Sequence, residues 1–224
     1  MPTFLTVPTR GDHPELLEAL VHASSIPRQN IAIVRTADVP VPAGVAVLDA
    51  IGPLNIHHWW NLGIDYAKDH GASSVAVLND DLVINSHTIT DLTSALEATG
   101  AAIATPGPQV RLHRNRMPLR PLLIGSLWVL DLSSGLKPNE DFQWWYGDDD
   151  LDIRARRDFP GLVTVPVWFE HPHAGQSTET SPILQELVAQ DERTFRNQHL
   201  LAYGWRVLDR KSGGRLRHSW KPNS

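Results

Sequence analysis

Two aspartate clusters and one pair of histidines carry the chemical interest of this sequence. Asn79-Asp80-Asp81 follows Val75–Leu78, the most apolar strand-like run of the first half. Adjacent carboxylates leaving a buried strand repel one another unless a positive charge neutralises them. A hard divalent cation, Mg²⁺ or Mn²⁺, does so with oxygen ligands and bridges to a substrate diphosphate. The other use of such residues is a turn or helix cap, where Asp accepts backbone N–H bonds. The second cluster, Tyr146-Gly147-Asp148-Asp149-Asp150-Leu151-Asp152, precedes Ile153-Arg154-Ala155-Arg156-Arg157. Four carboxylates this close are costly even at a helix start, and a carboxylate held near a hydroxyl is what general-base chemistry needs. A solvated acidic cap is the alternative, but Trp144-Trp145 directly before the cluster argue for a walled site. Third, His171-Pro172-His173 follows the aromatic strand end Trp168-Phe169-Glu170. Neutral imidazole suits Mn²⁺ and related ions, whereas an isolated His more often serves packing.

The elements that must position these residues alternate between strand and helix. Phe4–Val7, Ile31–Val34, Val45–Leu48, Val75–Leu78 and Ala101–Ala104 are short apolar runs bounded by turn residues. Between them, Leu16, Leu17, Leu20 and Val21 recur at helical spacing in Pro14–Ala23. Ile56, Trp60, Ile64 and Ala67 do the same between Asn55 and a stop at Gly71, and Leu92, Ala95 and Leu96 mark another helix. Strands separated by such helices predict βαβ units and a mainly parallel sheet, with ligands at the carboxyl ends of its strands. After Pro106 the pattern changes. Gln109–Pro121 carries Arg111, Arg114, Arg116 and Arg120 and reads as an exposed loop. Leu122–Leu132 is apolar, Leu162–Phe169 reads as a strand, and Ile183, Leu187 and Phe195 mark a last amphipathic helix. The expected organisation is one domain over 1–205, with halves at 1–106 and 107–205, and a basic tail over 206–224.

Composition narrows the chemistry. The 224 residues include no cysteine, which excludes disulfides, thiolate metal sites and cysteine nucleophiles. The net charge of −5 excludes a chain that is basic throughout. That mean hides unlike parts: 111–120 carries +4, 206–221 carries +5, and the remainder −14. No apolar run is long enough to span a membrane and the first ten residues lack a signal-peptide pattern, so the expectation is a soluble, cytoplasmic protein.

Five motifs in order, Val7-Pro8-Thr9-Arg10, Asn61-Leu62-Gly63-Ile64, Leu78-Asn79-Asp80-Asp81, Gly125-Ser126-Leu127-Trp128 and Asp149-Asp150-Leu151-Asp152, resemble family 2 glycosyltransferases of the GT-A fold. The likeness runs from about residue 4 to 178, and His171/His173 followed by Ser177-Thr178 looks like that family's late histidine motif. The resemblance implies an α/β GT-A (Rossmann-like) fold, its mainly parallel central sheet flanked by helices, with a more irregular acceptor-side C-terminal half. It implies inverting transfer of a sugar from a nucleotide donor, a UDP- or dTDP-sugar, with Mn²⁺ or Mg²⁺ bound through a DxD-type motif. By position, Asp81 looks like the metal ligand, Asp80 lies nearer the ribose, and Pro8, Thr9, Arg10 and Asn61 line the donor site. Asp149-Asp150 stands for the family's Glu-Asp pair, with Asp150 as general base and Asp148 leaving the register open by one residue. His171 or His173 completes the metal or diphosphate site. The second strand ends Val34-Arg35-Thr36 where the family often has an acid, so Asp38 or Asp49 is the substitute.

Arg111, Arg114 and Trp145 fall on the acceptor side by this reading. The basic segments suit an anionic acceptor such as DNA with hydroxymethylated bases, a phosphorylated lipid head group or an acidic glycan. Protein and cell-surface glycan acceptors, and arginines solvated or closing on the diphosphate, are the alternatives. A carboxylate-pair hydrolase explains both acidic sites but not the parallel-sheet half. A nucleotide-sugar-binding protein without turnover is the remaining class.

Overall fold

A computed structural model describes residues 2–50, 52–115, 117, 119–174 and 181–211. Its centre is an eight-stranded sheet of β1 (Thr3–Thr9), β2 (Ile31–Arg35), β3 (Ala46–Asp49), β4 (Ser74–Leu78), β6 (Ile103–Pro106), β7 (Arg111–His113), β8 (Leu127–Asp131) and β9 (Leu162–Val165). Across the sheet the order is β3-β2-β1-β4-β8-β6-β9-β7. The β3-β2-β1-β4 half is wholly parallel, and β8 and β7 run antiparallel to their neighbours. The remaining strands, β5 (Val83–Ile84) and β10 (Phe169–Glu170), form a separate antiparallel ribbon.

Helices α1 (Pro14–Ala23), α2 (Ile56–Asp69), α3 (Thr88–Thr99) and α4 (Gly147–Asp158) cover the sheet, and α5 (Pro182–Gln198) and α6 (Leu200–Lys211) close the chain. Because side chains alternate across a strand, each strand feeds two cores. Leu5 and Val7 of β1 and Ala76 and Leu78 of β4 pack with Leu17, Leu20, Leu92 and Leu96 of α1 and α3. Phe4, Val75 and Val77 face the other way, onto Trp60, Ile64 and Ala67 of α2 and Leu151 and Ala155 of α4. A sheet covered on both faces needs continuous apolar strands, and β4 is buried at all five positions. Gly63 lets α2 lie close on β1: a Cβ there would sit 1.8 Å from Thr6 Oγ1, so the Asn61-Leu62-Gly63-Ile64 motif is a packing device at that position. A third, smaller core of Phe142, Tyr146, Ile153, Phe195 and Ala202 docks α5 and α6. Burying a ring such as Phe195 contributes roughly 2–3 kcal/mol.

Two expectations change. Gln109–Pro121 is not wholly loop, because Arg111–His113 pairs with β9 as the edge strand β7. The run Leu162–Phe169 breaks at Pro166, and its end leaves the main sheet to pair with β5. The segment from 206 begins inside α6, and 212–224 lie outside the described residues.

Candidate active site

Strands β1 and β4 are parallel neighbours, so their carboxyl ends bring Pro8-Thr9-Arg10 beside Asn79-Asp80-Asp81. Strand β8 runs antiparallel to β4 with Leu127 opposite Leu78. Gly125-Ser126 therefore lies alongside Asn79, whose N–H donates to the Ser126 carbonyl at 3.0 Å. The ribbon supplies the histidine. Phe169 is opposite Ile84 and Glu170 opposite Val83, a register that returns the next residue, His171, to the aspartate turn before Val83. Its Nε2 lies 3.0 and 3.1 Å from the two oxygens of Asp81.

These groups line a cleft of about 350 Å³, together with His13, His57, Trp59, Trp144, Trp145, Tyr146, Asp148, Asp149, His173 and Arg206. The two aspartates of the turn are electrostatically distinct. Burial pushes Asp80 above the usual carboxylate range, and repulsion from Asp81 adds to that against the hydrogen bond from Thr9 Oγ1 at 2.6 Å. Burial also opposes ionisation of Asp81, but the hydrogen bond and charge of His171 outweigh it and hold Asp81 below that range. The His173 ring stacks on that of His13 at 4.1 Å and 6°. The pair of histidines thus divides, His171 onto the aspartate turn and His173 onto α1's N-terminal side.

The other side of the cleft is the amino end of α4. It is jammed against α2: a Cβ on Gly147 would sit 2.0 Å from His57 Nε2. Gly125 likewise leaves room for the Asp148 carboxylate, 2.7 Å from where its Cβ would be. The three aspartates then part company. Asp150 does not line the cleft and is 2% exposed. Its two oxygens take Arg154 Nε at 2.7 Å and His199 Nε2 at 2.8 Å. Asp150, the expected general base, is thus turned inward by the helix and held between Arg154 of α4 and His199 at the α5–α6 junction. Asp149 lines the cleft but is paired with Arg206 of α6. Asp148 also lines the cleft, where its carboxyl is engaged by its own backbone N–H and by the charge of Arg206. Burial raises its carboxyl above the usual range, partly offset by the charge of Arg206.

Several other site expectations land elsewhere. Asn61 Nδ2 donates to the Pro138 carbonyl and to Glu140 Oε1 at 3.1 and 2.7 Å, tying α2 to a loop, and does not line the cleft. Arg111 and Arg114 do not line it either. Arg114 follows β7 at the amino end of β9, the opposite edge of the sheet, and donates to the Pro160 carbonyl at 2.6 Å. Asp38 and Asp49 both bind Arg35 at the end of β2, outside the cleft. Trp145, 43% exposed, is at the cleft as expected. Trp59 and Trp60 are buried, stacking edge-on with Trp144 and Trp128. Ser177 and Thr178, and Arg116 in the basic loop, lie outside the described residues.

Four contributors escape the sequence patterns: His13, Tyr146, Arg206 and Asp191. Asp191, fully buried on α5, accepts from the backbone N–H groups of Gln143, Trp144 and Trp145 at 3.0, 2.7 and 2.9 Å. Burial lifts its carboxyl above the usual range and these three donors pull it back. It fixes the loop that ends at Tyr146, a residue held left-handed at φ 66°. A signal for it exists, since Leu184, Asp191 and Phe195 share one helical face and all three are buried.

His57 gives the site a measurable acid response. Burial pushes its imidazole down to about 4, against the raising effects of the Phe142 carbonyl and of Asp150 and Glu140. Between pH 6.5 and 4 the unfolded chain binds more protons, so this group makes stability fall as pH falls. Asp152, raised to about 6 by burial despite Arg156, acts in the opposite direction below pH 6, because there the folded chain binds the extra proton. The His57→Gln variant keeps a donor for the Phe142 carbonyl and removes only the first contribution. Relative to wild type, it is expected to gain about 3 kcal/mol from pH 7 to pH 4. Urea denaturation across that range measures this, and a constant difference between the two proteins would refute it.

No protein-family model matches the chain, and no curated protein sequence matches it significantly. Its fold, however, is shared with solved structures. S. aureus TarS 1–349 superimposes with a TM-score of 0.62 at 12% identity, covering 98% of this chain and 76% of that one. The same protein in complex with UDP gives 0.60 at 12% identity over the same shares, and the chain spans 44% of the longer TarS chain. The mannosyltransferase PcManGT from Pyrobaculum calidifontis, in complex with GDP-Man and Mn²⁺, gives 0.54 at 12% identity, covering 94% and 75%. The fold is that of GT-A glycosyltransferases.

Proposed function

We propose that this chain is an inverting glycosyltransferase, moving a sugar from a nucleotide-diphosphate donor to an acceptor hydroxyl. One observation carries the reading: a single strand-end cleft is lined both by the Asp80-Asp81 turn with His171 and by the carboxylate of Asp148. The solved neighbours with UDP or GDP-Man bound support the donor class; a UDP- or dTDP-sugar is the donor we favour.

A divalent cation fits the residues present. Among the described residues no three His, Asp or Glu side chains converge on one point. The carboxylate of Asp81 with the imidazole of His171 gives one oxygen and one nitrogen donor at the strand end, and Mg²⁺ or Mn²⁺ would take their other ligands from substrate phosphates and water. Asp81 and His171 would hold the ion, which when bound supplies neutralisation of charge on the departing diphosphate. Thr9 and Asp80 would bind the ribose, and Pro8 and Arg10 the base; all four line the cleft. Asp148 takes the proton from the acceptor hydroxyl as that oxygen attacks the anomeric carbon from the face opposite the leaving group. Its raised affinity for a proton suits that role. Arg206 pairs with Asp149 beside it, and Trp145 offers an aromatic face to the acceptor. Arg111 and Arg114 do not line the cleft, and among the described residues Arg206 is the one of the two basic segments that does.

The test is a thermal-shift panel of UDP-, dTDP- and GDP-sugars with and without Mn²⁺. A metal-dependent rise in melting temperature with one donor is expected. It should fall by most of its size in Asp81→Asn, since ligand binding stabilises by mass action. No stabilisation by any donor in the presence of metal would overturn the reading.

A further inference from the structure

The first turn of α4 is gripped from a distant part of the chain. Arg206, in the middle of α6, lines the cleft and pairs with the Asp149 carboxylate. The same guanidinium lies 4.6 Å over the Tyr146 ring and 5.9 Å from the Phe195 ring. Tyr146 and Asp149 stand on either side of Gly147-Asp148, so one side chain holds both flanks of the residue proposed as the base. A planar guanidinium can do this, stacking on a ring while its N–H groups pair with a carboxylate. The turn it grips is one that needs holding. Tyr146 is left-handed at φ 66°, and Asp148, Asp149 and Asp150 crowd their carboxylates into the helix start.

We propose that Arg206 is a positioning residue that clamps the first turn of α4 and, through its charge, governs Asp148 as a base. The inference rests on the assignment of Asp148 under the proposed function. The charged groups around Asp148 oppose one another. On its own helix, Asp149 and Asp152 favour its protonated form when they are ionised, while Asp150 is taken up by Arg154 and His199. His57 of α2, against Gly147, has its imidazole pushed down to about 4 and is neutral above that. Across the cleft Asp80 and Asp81 bind Thr9 and His171, Arg10 binds Asp12, and His13 stacks on His173. Arg206 stays a cation throughout, and its charge pulls the Asp148 carboxyl down against the effect of burial. Asp149 works against that pull twice, as a neighbouring anion and as the partner of the Arg206 charge. The two residues therefore act on Asp148 with opposite signs, which a merely structural pair does not do.

The test is the pH profile of kcat/KM for transfer, read beside the carbon-13 titration of the Asp148 carboxyl in the ligand-free protein. Loss of the resonance in Asp148→Asn identifies it. Arg206→Gln is expected to move both the acid limb of the profile and the carboxyl midpoint up by about one pH unit, which lowers kcat/KM about tenfold on that limb. Asp149→Asn should move both down. Arg206→Lys keeps the charge without the planar fork, so the limb should return toward wild type while kcat stays several-fold low. Circular dichroism checks the fold of each variant, and Asp149→Asn decides the matter if Arg206→Gln does not fold. A limb and midpoint unmoved in the folded variants, or moved the same way by both substitutions, would overturn the proposal. Absence of transfer from every donor counts against the proposed function instead, because the carboxyl midpoint still decides the role of Arg206.

Discussion

Asp148→Asn is expected to lower sugar transfer by about 10²–10⁴-fold, the usual worth of a positioned general base, while donor-induced thermal stabilisation survives. The amide keeps the size of the side chain, and Gly125 continues to leave room for it, so the loss is one of proton acceptance. Asp150→Asn provides the contrast. It removes a buried charge from between Arg154 and His199, and breaking such a pair costs about 3–5 kcal/mol. Its signature should be a large drop in urea midpoint, with residual activity tracking the folded fraction. Single-turnover assays on both variants at one temperature separate the roles. An active Asp148→Asn beside a fully stable, inactive Asp150→Asn would return the base to Asp150.

The second large effect belongs to a residue that does not line the cleft. Asp191→Ala leaves three N–H groups of the 143–145 loop without their acceptor. Each orphaned donor costs roughly 1–3 kcal/mol when buried, and some of these will find water, so a loss near 4 kcal/mol is expected. Transfer should fall further than stability explains, by about a hundredfold in folded protein, because small misplacements of a catalytic wall are that costly. The loop holds Trp144 and Trp145 and leads into Asp148 through a left-handed Tyr146, whose conformation itself costs about 1–3 kcal/mol. Steady-state assays well below the melting temperature should show the loss mainly in kcat, with rescue in part by Asp191→Asn, which keeps one acceptor oxygen. Full activity in folded Asp191→Ala would refute the positioning role.

Patterns that depend on chain-local physics were readable from residues alone. Helix α1 spans the expected Pro14–Ala23, and Asn55 caps α2 by accepting from the His58 N–H. The parallel sheet and the strand-end position of Asp80-Asp81 follow from alternating apolar runs. What sequence could not resolve was rotation and registry. Which of Asp148, Asp149 and Asp150 meets the cleft depends on the angle at which α4 leaves Tyr146, and that angle is set by His57, Phe195 and Arg206 from remote elements. The basic residues misled for a related reason. Charge is visible in sequence but its direction is not, so Arg206 reads as part of a basic tail suited to an anionic partner while in the fold it balances Asp149. Arg111 and Arg114 went to an edge because β7 pairs with β9, a contact spanning about fifty residues that no local pattern announces.

The short ribbon of β5 and β10 sets an order of events in folding. Asp81 and His171 are ninety residues apart in the chain, with β6, β8 and β9 lying between them in sequence. Contacts of such separation carry a heavy loop-closure cost and form late. On the proposed function, donor affinity belongs to the completed topology and not to partly assembled chains. A bound donor would then stabilise only those chains in which this last closure has been made.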